Sequence, residues 1–77
     1  MNKQDRKQLE KALNLINEGL EIMSAIKDQE EEKFDNLPEG IQESERGEQF
    51  QENIDNLDSA ISDIEGVIEY VEEIVNQ

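Results

Sequence analysis

The stretch Ile54–Val75 reads IDNLDSAISDIEGVIEYVEEIV, and Ile54, Leu57, Ile61, Ile64, Ile68, Val71 and Val75 recur in it by alternating steps of three and four residues. No polar residue interrupts that series. A period of 3.5 residues keeps one stripe of an α-helix turned toward a neighbouring helix over its whole length. The stretch therefore predicts a helix packed against another helix. Phe50, four residues before Ile54, extends the same seam, and Ala60, Val67 and Ile74 form a second apolar stripe beside it.

Upstream, a first helix is predicted over about residues 3–34. Leu9, Ile16 and Met23 take heptad position a, Ala12, Gly19 and Ile26 position d, Leu13 and Leu20 position e, and Leu15 and Ile22 position g. Four of seven positions are thus apolar or small, an arc wider than a two-stranded seam requires. One neighbouring helix cannot cover it. The second helix is predicted over about 44–75, and the connector over about 35–43. That connector holds the only proline, Pro38, which biases Leu37 away from helical geometry. Asn36 or Ser44 is expected to cap the helix that follows, and Leu37 and Ile41 to plug the closed end. Two helices of roughly 48 Å joined by a short link describe an all-α antiparallel hairpin spanning 1–77 as a single domain. The wide apolar arcs predict that two hairpins pair into a homodimeric four-helix bundle.

Charge sets the class of partner. The chain carries 21 acidic and 7 basic residues, for a formal net charge of −14. The bases Lys3, Arg6, Lys7 and Lys11 cluster at the start, whereas from Gly47 onward there are nine acids and no base. In an antiparallel hairpin those early bases are expected to face Glu65, Glu69, Glu72 and Glu73. The overall field repels nucleic acid and anionic lipid and speeds encounter with basic proteins. Direct nucleic-acid or membrane binding is therefore not expected. Apolar runs reach only two residues, as in Val67-Ile68, so no segment spans a bilayer or serves as a signal peptide, and an intracellular, cytoplasmic setting is expected.

Catalytic chemistry lacks its usual participants. Histidine and cysteine are absent, so there is neither an imidazole base nor a thiolate nucleophile, and no disulfide. The chain is read as a non-enzyme with no cofactor and no metal. Di-metal bundles need inward carboxylates and a Glu-x-x-His pair, whereas the inward positions from Ile54 onward are aliphatic. The four glycines are scattered, with no lysine placed to cradle a phosphate. Of these, Gly19 falls at a core position, where close helix approach or a cavity for a partner side chain is expected, and Gly66 lies on the outer face.

The acidic face of the second helix carries the sharpest functional reading. Asp58, Glu65 and Glu72 recur every seven residues, with Asp55, Asp63, Glu69 and Glu73 beside them. Neighbours three or four residues apart on a helix lie about 5–6 Å apart, near the phosphate spacing of a nucleic-acid strand. Asp55, Asp58, Glu65, Glu69, Glu72 and Glu73 are accordingly the candidate partner-binding residues, with imitation of DNA toward a basic protein as the mechanism. Asn36, Pro38, Glu45 and Arg46 form a candidate contact at the hairpin tip, although capping and turn stereochemistry account for the same residue types. Arg46, the only base after Lys33, is expected to pair locally with Glu43, Glu45 or Glu48. Tyr70 falls on the outer face.

Phe34-Asp35-Asn36-Leu37-Pro38-Glu39-Gly40-Ile41-Gln42 followed by Ser44-Glu45-Arg46-Gly47-Glu48 resembles small acidic helical proteins encoded in phages and prophages of low-GC Gram-positive bacteria. The lysine-rich start and the acidic second helix belong to the same likeness. That resemblance implies a host bacterial cytoplasm and supplies no functional residues. The functional expectation is a regulator or inhibitor of a basic host protein; the alternative is a structural or assembly protein acting through helical oligomerisation.

Overall fold

A computed structural model describes residues 1–77. Three helices follow one another: α1 over Lys3–Asp35, α2 over Glu39–Gln42 and α3 over Glu45–Val75. The long helices α1 and α3 pack antiparallel as a hairpin 58 Å long and 15 by 13 Å in section. Asn2 caps α1, its side-chain oxygen accepting the Asp5 N–H at 2.7 Å. This satisfies one of the free N–H groups at the helix start.

The seam between the helices follows different columns in each. In α3 it is the predicted one, with Ile54 and Ile68 buried and Leu57, Ile61, Ile64 and Val71 half-buried. In α1 it runs through Leu9, Leu13, Ile16, Leu20, Met23 and Lys27, while Ile26 at the expected d position is exposed. The a column faces α3 as expected, and it is joined by the e column rather than the d column. Leu13 and Leu20 bury far more apolar surface than Ala12 and Gly19, so rotation toward them is favoured. Only Ile54 and Ile68 among the hydrophobic residues are buried, each still 8 % exposed. A single hairpin has little interior.

Lys27 sits in that seam. Its ammonium leaves on one side to donate to the Asp58 carboxylate at 2.8 Å, with Glu31 at 3.8 Å. The hydrogen bond to Asp58 holds the Lys27 pKa above the ordinary lysine value. Partial desolvation opposes that shift, and the charges of Asp58, Glu31 and Asp28 reinforce it. A polar seam residue whose partner lies on the facing helix favours the register that keeps the two within reach, because other alignments separate them.

The connector differs from the expected loop. Asn36 closes α1 rather than capping a following helix, its N–H bonding back to Glu32 at 3.1 Å. Leu37 is a bend ahead of Pro38, and one turn of helix, α2, follows. Ser44 occupies the residue before α3, yet its hydroxyl donates to the Ile41 carbonyl instead of accepting from an α3 N–H. Leu37 is half-buried, but Ile41 is 37 % exposed and does not plug the end. The tip is held by Gln42, whose side-chain amide donates to the carbonyls of Phe34 at 3.0 Å and Leu37 at 3.1 Å, with Asp35 at 3.5 Å. Phe34 and Asp35 are the last residues of α1, whose carbonyls a helix C-terminus leaves without intrahelical donors. Gly47 then lets α3 pass against α2: it is buried, and a Cβ there would overlap the Gln42 carbonyl and lie 2.7 Å from the Gln42 Cα.

Candidate functional site

The α1–α3 pairing gives the hairpin two unlike flanks. On one side of the α3 seam lie Asp58, Glu65 and Glu72, with Asp55, Glu69 and Glu73 farther round, and all six are exposed. Glu69, Glu72 and Glu73 line a shallow depression at the open end, beside Asn76 and Gln77. Asp55 and Asp58 stand toward the middle of α3. Asp58 alone among the six is engaged, through its contact with Lys27. No group of three or more metal-ligating side chains converges.

The expected ion pairs between the N-terminal bases and the C-terminal acids do not form; every ion pair of the chain involves Lys27 or Lys33. The stagger of the helices explains this. Lys27 reaches Asp58, and Gly19 shares a groove with Val67, so the same register brings Glu10 level with Val75. Lys3 and Lys7 therefore extend past the last turn of α3. Arg6 is half-buried, with its Nε out of contact with solvent and without a hydrogen-bond partner. Arg46 likewise makes no ion pair with Glu43, Glu45 or Glu48. Residues one and two apart on a helix do not face each other, which separates Arg46 from Glu45 and Glu48. Glu43 is the cap of α2, outside α3.

At the tip, Asn36 ends α1, Pro38 begins α2, and Glu45 and Arg46 lie exposed in the first turn of α3. No hydrogen bond joins the two pairs. The residues that organise the tip, Gln42 and Gly47, are ones the sequence reading did not single out. A signal existed for Gly47, which stands three residues before Phe50 and so continues the seam column. Gln42 offered none, because its contacts are set by the fold of the connector.

The opposite flank is apolar and unfilled. Ile22 is 62 % and Val67 50 % exposed, and Leu15, Ile26 and Ile74 are exposed beside them. Between the helices on this side Ile16, Gly19, Leu20, Met23 and Ile64 line a groove of about 470 Å³, with Ile22 and Val67 also in its wall. A Cβ on Gly19 would meet nothing within 4 Å, so this glycine makes no close approach inside the hairpin and leaves a notch in the groove. Toward the tip the flank turns polar at Asn53 and Asn56. Neither helix is long and apolar enough to cross a membrane. An exposed apolar strip on a chain with so small an interior suits oligomerisation or the binding of a partner.

No protein-family model, curated protein or solved structure matches the chain.

Proposed function

We propose that the protein is a non-enzymatic interaction module with two working flanks: the apolar flank pairs it with a second copy into a four-helix bundle, and the acidic flank binds a basic protein. The observation that carries this reading is the segregation itself. Apolar residues gather on one side of the seam and six exposed carboxylates on the other, so self-association leaves the acids facing outward. Five of those carboxylates have no cationic neighbour within ion-pair distance, and their charge is available to a partner. In its sharpest form the bundle imitates DNA toward a nucleic-acid-binding protein, in keeping with a phage-encoded regulator or inhibitor of a host protein.

The apolar flank favours a second reading, in which helical oligomerisation is the whole role and the acids only solubilise the assembly. Capture from lysate at low and high salt separates the two. Wild-type protein is expected to retain a basic protein at low salt, to release it at high salt, and to release it when duplex DNA is added. A variant carrying Glu65→Gln, Glu69→Gln, Glu72→Gln and Glu73→Gln is expected to lose most of that capture while keeping its helicity. Equal capture by both proteins, or none at any salt concentration, sinks the acidic-flank reading and leaves assembly.

A further inference from the structure

The apolar flank is nearly symmetric about its own midpoint, and this symmetry carries the orientation of the pair. Two adjacent columns of α1 make up its half of the flank. One reads Asp5, Ala12, Gly19, Ile26, Lys33 and the other Gln8, Leu15, Ile22, Gln29. Each runs from polar through apolar to polar, the first with opposite charges at its two ends. Asp5 and Lys33 are both exposed. The centre of both columns is Gly19 or its immediate neighbour. In α3 the residues level with Gly19 are Gly66 and Val67, since Gly19 and Val67 line one groove. About that level Ala60 balances Ile74, Asp63 balances Tyr70, and Asn56 balances Gln77.

We infer that a second copy of this chain covers the flank head to tail, related by a two-fold axis at the level of Gly19 and Val67, with α1 lying over α1 and α3 over α3. Such an interface is self-complementary. Asp5 of each copy meets Lys33 of the other at both ends. Within α3 the Tyr70 hydroxyl donates to the Asp63 carboxylate across the axis. The notch at Gly19 allows the two α1 helices to approach closely at the centre, where no side chain projects between them. A pairing with both tips at the same end is disfavoured on the same residues. It lays α1 over α3, carries Asp5 past the last turn of α3, and sets the Asp63 carboxylate against Ile22 without a donor, which desolvates a charge for no return contact.

Area and charge are consistent with this occupant. From Asp5 to Lys33 the flank is about 42 Å long, which over the hairpin's 15 Å breadth gives roughly 600 Å² in projection, near the ~800 Å² per partner of a standard stable interface. The six acids of the opposite flank stay remote from the axis, so two chains of net charge −14 meet on their least charged side. This inference rests on the self-association reading and adds its geometry.

The chain has no cysteine, so single cysteines report the arrangement directly. Gly19→Cys has open space for its side chain within the hairpin. Under mild oxidation it is expected to give mostly disulfide-linked dimer, and a mixture of Asp5→Cys and Lys33→Cys chains is expected to cross-link where neither variant does so alone. Circular dichroism before oxidation confirms that each variant is folded. Cross-linking of Gly19→Cys to Val67→Cys in a mixture, without self-linking of Gly19→Cys, overturns the head-to-tail orientation and leaves the dimer intact. Sedimentation of the unmodified protein as a monomer overturns the orientation and self-association together, while capture through the acidic flank is judged by its own experiment.

Discussion

Gly47→Ala is expected to lower stability by about 3 kcal/mol, although alanine is ordinarily the better helix former by about 1 kcal/mol. The added Cβ would fall on the backbone of Gln42, which cannot rotate aside as a flexible side chain can. Relief requires moving α2 away from α3, and that movement withdraws the Gln42 amide from the carbonyls of Phe34 and Leu37. The single methyl thus disturbs two contacts. Gly66→Ala is the internal control: nothing lies within 4 Å of its Cβ, so it is expected to raise stability by up to about 1 kcal/mol. Urea denaturation of the two variants checks both signs. A Gly47→Ala protein as stable as wild type would show that α2 does not press on α3 in solution.

Ile68→Ala is expected to cost about 3 kcal/mol and Ile68→Val about 1 kcal/mol, with the same gradation at Ile54. These are the two buried hydrophobic residues, and their neighbours in the seam are only half covered. They lie fourteen residues apart on α3, about 21 Å along its axis, so their effects add. The double alanine variant loses about 6 kcal/mol, as much as a domain of this size commonly possesses, and is expected to be unfolded at room temperature. Thermal and chemical denaturation followed by circular dichroism give the series. Losses below about 1 kcal/mol at both single alanine variants would mean that the seam between α1 and α3 is not where the core lies.

The α3 seam and the hairpin were legible because an uninterrupted alternation of three and four has one helical interpretation. In α1 the rotation was not legible. Its apolar arc includes Leu13 and Leu20 on one side and Leu15, Ile22 and Ile26 on the other, so periodicity alone leaves two seams available. The structure uses the first for α3 and leaves the second open. Charge placement was legible as a column of acids, yet the ion pairs were not, because they depend on a stagger set by the connector. Lys27 shows the same limit: it follows Met23 by four residues in the seam column, but only the register reveals Asp58 as its partner. The tip was the least readable part, since Gln42 and Ser44 bond to carbonyls whose positions arise from the chain reversal itself.

The packing of that tip also bears on how the molecule reaches its native state. Gln42 reaches back eight residues at most, and Gly47 touches a residue five positions earlier, so these contacts close very short loops. Short loops lose little entropy on closure, whereas the meeting of Leu9 with the end of α3 must close nearly the whole chain. Folding is thus expected to begin at the closed end and to zip toward the termini. Stopped-flow measurements on Gln42→Ala should find the loss of stability mainly in a slower folding rate, and on Val75→Ala mainly in faster unfolding. The reverse assignment would place the nucleus at the open end. The one-turn helix between two long ones is then a kinetic element, a starting point from which α1 and α3 acquire their alignment.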